Sequence, residues 1–205
     1  MKNDKTYNSS HSSTFHLDNH MSRMESPDRA AWQKPEEVIT YLALPARSVV
    51  CEIGAGPGYF TLRLAKAVGD SGLVYAVEIE PQVLAVLRDR LNAAQVSNVV
   101  PVLGLANDPL VPKKMFDCVF LVNTFHHFSD LVGYLKKLKL LLHRGGRIVN
   151  IDFHKKPTPM GPPLEARLSC DEFIKLAEDA GLQVLAEHDL LEYQYFVELI
   201  CTDLD

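Results

Sequence analysis

The stretch Val49-Val50-Cys51-Glu52-Ile53-Gly54-Ala55-Gly56-Pro57-Gly58-Tyr59-Phe60-Thr61 constrains the fold of this chain more than any other. Residues 49–53 are apolar apart from Glu52, and so short a run suits a central parallel strand covered on both faces. Three glycines at alternate positions then remove Cβ atoms from the turn. The backbone can take positive φ there, and a ligand can approach it closely. From Thr61 to Val68 the spacing becomes helical, with Phe60, Leu64 and Ala67 on one face.

Strand–glycine turn–helix units bind nucleotides in more than one way, and the spacing decides between them. A dinucleotide fingerprint places glycines first, third and sixth, with a helix N-terminus facing the pyrophosphate. Here the glycines are first, third and fifth, and Tyr59 holds the sixth place, where it would crowd the helix against the strand. Glu52 also puts an acidic side chain two positions before Gly54, which disfavours a diphosphate and suits a cation. S-adenosylmethionine (SAM) has a sulfonium, an ammonium and no phosphate.

Glu52-Ile53-Gly54-Ala55-Gly56-Pro57-Gly58 resembles motif I (E/D-x-G-x-G-x-G) of the class I SAM-dependent methyltransferases. The resemblance runs from about residue 32 to residue 201 and is to the small one-domain kind, similar to the type 11 and ubiquinone/menaquinone methyltransferases. It implies an α/β, Rossmann-like, doubly wound seven-stranded sheet, mostly parallel with an antiparallel C-terminal hairpin. It also implies SAM as cofactor, held by Glu52, Gly54, Ala55, Gly56, Gly58, Tyr59 and Phe60.

The remaining elements follow in order. Residues 73–78 read as a second strand ending in Glu78, and a helix is expected over about 81–94. An acidic residue at that strand end can accept hydrogen bonds from both ribose hydroxyls of an adenosine. Ile79 follows it in the expected cofactor set. Residues 99–103 read as a third strand. Relatives often have Gly-Asp-Ala after it, where the aspartate holds the adenine amino group. This chain has Leu105 in that place, so adenine is expected to be read by the Ala106 backbone and the Asn107 side chain.

Residues 116–122, introduced by Asp117 as in motif IV of the family, form a fourth strand. They deliver Asn123-Thr124-Phe125-His126-His127-Phe128 to the carboxyl edge of the sheet, where open α/β sheets bind ligands. The resemblance sets Asn123 against the methionine part of SAM, through its backbone carbonyl. His127 and His126 are the candidate general bases, since imidazole titrates near neutrality; a loop-shaping role stands beside that one. Ser129-Asp130 cap a helix to about Leu142, and the His143–Gly146 turn leads to a fifth strand over 147–153. Residues 154–168 read as a substrate-facing wall, with Arg167 a contact for an acidic substrate. Ser169 caps a helix over about 170–180. Residues 182–190 and 194–201 read as the closing hairpin, which a plain dinucleotide fold would not need.

Residues 1–34 are expected to be an N-terminal arm and 35–205 the SAM-binding domain. Residues 1–15 are polar and expected to be mobile, and a metal site at His11, His16 and His20 is not expected. By resemblance residues 16–34, with Arg29 and Trp32, are a candidate lid over cofactor and substrate; a plain anchor through Trp32 is the other option. Pro35 opens a helix over about 35–43.

With 205 residues the chain suffices for one sizeable core. A formal net charge of −5 gives no electrostatic case for nucleic acid or an anionic membrane. Cys51, Cys118, Cys170 and Cys201 are too widely spaced for a zinc motif and read as reduced thiols in a cytoplasmic protein. No apolar run approaches the ~20 residues of a membrane span, and no metal is expected. The expected function is methyl transfer from SAM to a small-molecule acceptor. The alternatives are a non-catalytic SAM-binding sensor or partner protein and, further off, a NAD-dependent oxidoreductase.

Overall fold

In the computed structural model, Met21 and residues 24–201 are described, so the expectations for residues 1–20 lie outside the described residues. Seven strands form one sheet in the order β3-β2-β1-β4-β5-β7-β6. They are β1 (Val49–Ile53), β2 (Leu73–Glu78), β3 (Val99–Leu103), β4 (Phe116–Val122), β5 (Leu142–Phe153), β6 (Leu182–Glu187) and β7 (Gln194–Cys201). All neighbours pair in parallel except β7, which runs antiparallel to both β5 and β6. The closing hairpin is therefore present, with its first strand ending at Glu187 rather than at residue 190.

The helices are α1 (Arg29–Gln33), α2 (Pro35–Leu42), α3 (Thr61–Val68), α4 (Pro81–Ala93), α5 (Leu131–Leu141) and α6 (Cys170–Asp179). Strand alternation sends β-strand side chains to two faces. On one face Cys51, Ile53, Val119, Leu121 and Ile148 pack against Leu135 and Leu138 of α5 and Phe173 of α6. On the other, Val50, Val74, Cys118, Phe120 and Val149 pack against Val38 and Leu42 of α2 and Leu64 and Val68 of α3. Each such fully buried Leu, Val or Phe contributes about 1.5–3 kcal/mol relative to exposure. Apolar β1 is central because both faces are covered.

Local chemistry fixes the helix ends. The Asp130 carboxylate accepts from Gly133 N at 2.9 Å, which caps α5. Ser169 and Glu172 form a reciprocal capping box on α6. One boundary differs from expectation. β5 begins at Leu142 instead of after the Gly145-Gly146 turn, with a register irregularity where Phe116 pairs Leu142 and Cys118 pairs Arg147. The turn is absorbed as a bulge.

Between β1 and β4 the strand order reverses direction. At such a switch point the loops leaving two adjacent strands diverge and open a crevice at the carboxyl edge. The glycine turn leaves β1 there and Asn123 leaves β4.

Candidate active site

The glycine turn is shaped by what approaches it. Gly54 has φ +75°, and a Cβ at that position would lie 2.3 Å from Thr124 Oγ1. Thr124 is itself held by donating to Val122 O at 2.9 Å. Gly58 has φ +97°, and a Cβ there would meet Leu87 of α4 at 2.7 Å. The fifth-position glycine thus serves the close helix packing for which a dinucleotide fold uses its sixth. Tyr59 crowds nothing. Its ring lies beneath two guanidinium groups, Arg29 at 3.8 Å and Arg63 at 4.7 Å, an arrangement favoured by the ring quadrupole.

Glu52 is buried beneath the turn and accepts from Thr61 Oγ1 at 2.5 Å. Burial pushes its carboxyl up to about 8, against the opposing pull of Thr61 and the Arg29 charge. Below about 4.5, its ordinary value, folded and unfolded chains both keep the proton. Between 4.5 and about 8 only the unfolded chain releases it, so stability falls as pH rises through that window. Glu52→Gln should abolish this slope. Melting temperatures of both proteins at pH 5 to 9, converging at the acid end, would check it.

Glu78 is buried at the end of β2 and is fully engaged. One oxygen accepts Gly56 N at 2.9 Å; the other accepts Ile79 N at 2.8 Å and Glu80 N at 2.9 Å. It ties the glycine turn to the second strand. Ile79, Leu103 and Leu105 stand about half exposed beside it, at the carboxyl ends of β2 and β3. Ala106 and Asn107 are exposed in the turn closed by Leu105 N to Asp108 O, and Asn107 O accepts Lys137 Nζ at 2.5 Å.

Asn123 takes positive φ and donates its N–H to Ile151 O. Its side-chain oxygen accepts Gln194 Nε2 at 2.5 Å, and Gln194 accepts Gln33 Nε2 at 3.1 Å. This chain of amides joins β4, β7 and the N-terminal arm. Sequence reasoning passed over Gln33 and Gln194. Their one signal is polarity next to apolar neighbours, which does not say what they meet.

The arm lies on the turn. Met24 Sδ would be 3.0 Å from a Cβ on Gly56. Arg29 donates to Met24 O and Gln33 Oε1, and burial lowers its guanidinium to about 10. Glu25 pairs with Arg90, and the Trp32 ring sits 5.6 Å from that of Phe153. Arg29 and Trp32 are therefore brought to the glycine turn and the end of β5.

The two histidines differ. His126 Nδ1 lies 2.8 and 3.1 Å from the carboxylate oxygens of Asp152, and both side chains are 6% exposed. His127 is exposed, its ring tilted 46° to that of His126 with centres 4.1 Å apart. Asp152 had drawn no notice in the sequence, although an acid closing an apolar strand is a visible signal.

Arg167 corrects an expectation. It is buried, and its guanidinium donates to the backbone oxygens of Pro162, His154, Lys156 and Met160 and to Thr158 Oγ1. Folding the 154–167 loop around this buried fork of donors turns it to the loop's own carbonyls and away from an acidic substrate. Arg167→Met should cost about 1–3 kcal/mol through orphaned carbonyls and expose the loop to protease. Thermal melts with limited proteolysis would check both.

Glu52 beneath the turn is a buried carboxyl that a close-lying cation would ionise, and the Tyr59 hydroxyl is buried without a hydrogen-bond partner. The residues present fit SAM. No group of three or more His, Cys, Asp or Glu that could hold a metal occurs among the described residues.

Residues 50–146 match the model of a family described as "Methyltransferase domain". The solved structure of a SAM-dependent methyltransferase from Aquifex aeolicus superposes with a TM-score of 0.84 at 26% identity, covering 90% of this chain and 98% of that one. The chain is similar to the SAM-dependent methyltransferases from β1 to the start of β5 in sequence and over nearly its whole length in fold. Among curated relatives, the ubiquinone/menaquinone biosynthesis C-methyltransferase UbiE of Haemophilus ducreyi is 28% identical over 152 residues, 74% of this chain and 56% of that protein. This chain spans about half the length of the curated relatives it matches. The [4+2]-cyclase SpnF shares the fold alone, with a TM-score of 0.67 at 17% identity over 79% of this chain and 61% of that one.

Proposed function

We propose that this chain transfers a methyl group from SAM to a small-molecule acceptor at the carboxyl edge of β1, β2, β4 and β5. The observation that carries this is the buried carboxylate Glu52 beneath a turn of three positive-φ glycines, a pairing suited to a close-lying cation. In this reading Glu52 and Asn123 face the methionine part, through the turn residues Gly54, Ala55, Gly56 and Gly58. Glu78 takes the ribose in exchange for some of its backbone partners. Ile79 with Leu105 gives the adenine an apolar slab, and Ala106 and Asn107 meet its edge. Tyr59 and Phe60 back the turn, and Arg29 and Trp32 cover it.

SAM, when bound, supplies an activated methyl carbon. The protein's part is to align acceptor and methyl and to exclude water. The UbiE relatives are named for quinone biosynthesis, which supports a hydroquinone-like acceptor. No described helix is long and apolar enough to cross a membrane. The four cysteines carry no disulfide, in keeping with the cytoplasmic setting we include in the proposal.

A second reading, a SAM-bound protein with other chemistry or none, is favoured by one observation: the arm seats Met24 on Gly56. Calorimetric titration with SAM, S-adenosylhomocysteine and NAD is the first test. Both sulfur nucleosides should bind and NAD should not, and NAD binding alone would overturn the proposal. Because Glu52 holds its proton up to about 8, SAM binding at pH 7 should also release close to one proton. The binding enthalpy would then differ between buffers of different ionisation enthalpy.

A further inference from the structure

Resting on the methyl-transfer reading above, we propose that Asp152 is a positioning residue that holds His126 as the base for an acceptor that must lose a proton. The acceptor class is then a weakly acidic O–H or C–H, such as a phenol or a hydroquinone ring. Acceptors that are methylated without proton loss, such as tertiary amines or thioethers, fall outside it.

The placement follows from the sheet. Val122 pairs Ile151, and Asn123 N donates to Ile151 O, so the ends of β4 and β5 leave the same edge side by side. Asp152 is the next residue on β5, and His126 follows Asn123 by three. Both carboxylate oxygens face Nδ1, and one also accepts Phe153 N at 2.8 Å. An ionised carboxylate can only accept, so a neutral imidazole facing it carries its proton on Nδ1 and keeps the Nε2 lone pair for an acceptor. No described group is hydrogen-bonded to Nε2. The same logic orients the imidazole of serine hydrolases, where a buried aspartate fixes tautomer and orientation without itself taking the proton.

The step balances. The acceptor's O–H or C–H bond breaks, and its proton goes to Nε2. The electron pair released, directly or through the aromatic ring, forms the bond to the methyl carbon. The carbon–sulfur pair stays on sulfur. The imidazolium, stabilised by Asp152, then returns its proton to water.

The test combines three measurements on full-length protein. Nitrogen NMR of labelled histidine should show His126 as the Nδ1–H tautomer, with Asp152→Asn admitting the Nε2–H form. Calorimetry should give unchanged SAM affinity in Asp152→Asn and His126→Gln. With labelled SAM and either 1,4-dihydroxynaphthalene or catechol as acceptor, both variants should lose about 10²–10⁴-fold in kcat. Asp152→Glu should recover part of it. The proposal is overturned by an Nε2–H tautomer in the wild type, or by variants that melt lower but keep kcat. It is also overturned by a wild-type protein that binds SAM and methylates neither acceptor. A wild-type protein that binds no SAM sinks the underlying reading instead, and calorimetry shows this before any acceptor is added.

Discussion

Gly56→Val is expected to fold and to lose SAM binding, while Gly54→Val is expected to lose much of its stability as well. The two glycines differ in what their missing side chains would meet. At Gly56 the nearest neighbour is the flexible end of Met24, 3.0 Å from the added Cβ. That side chain can swing aside, so the new methyls would fill the space where a ligand must lie. At Gly54 the neighbour is Thr124 Oγ1 at 2.3 Å, and Thr124 is pinned to Val122 O. Neither partner can give way without moving the end of β4. In both variants the valine must take positive φ, about 1–2 kcal/mol for an L residue, and at Gly54 overpacking adds about 1–3 kcal/mol. Circular dichroism melts paired with SAM calorimetry would separate the cases. Equal melting temperatures in the two variants would show that the contact with Thr124 is relaxed at little cost.

Removing residues 1–34 is expected to speed SAM dissociation by at least about tenfold, equivalent to 1.4 kcal/mol. The part of the arm that the structure describes is not a loose tail. Gln33 is fully buried, Lys34 donates to Leu190 O at 3.1 Å, and Trp32 covers Phe153. The truncated chain should keep its sheet and melt lower, since Tyr59, Phe153 and Gln194 would be bared to water. Stopped-flow displacement of bound SAM gives the rate directly. An unchanged dissociation rate would reduce the arm to an anchor.

The parts of this molecule that were legible in its sequence are those governed by local chemistry. The apolar run of β1, the glycines after it, Asp130 and Ser169 as helix caps, and the hairpin's two apolar stretches each declare themselves within a few residues. Glu52 and Glu78 were legible as acids at strand ends, but not as groups already occupied by Thr61 and by three backbone N–H donors. Tyr59 shows where local reasoning stops. Crowding was expected because its sixth position was compared with a dinucleotide fold, whereas Gly58 supplies the close approach to Leu87 and frees Tyr59 to lie under two arginines. Arg167 fails in the same way: an arginine beside prolines looks available until its own loop is seen wrapped around it. Asp152, Gln33 and Gln194 act through partners 26 to 161 residues distant. Nothing in a single sequence records such pairings.

The amide chain from Gln33 through Gln194 to Asn123 carries a consequence for assembly. A chain emerging from the ribosome presents its arm well before β7, and the contact between Gln33 and Gln194 spans 161 residues. Gln33 therefore has no seat until the closing hairpin has inserted beside β5. Contacts of such long separation form late, because the loop they close must be paid for in entropy first. The crevice should thus stay uncovered until β7 has joined β5, and only a finished sheet can shut it.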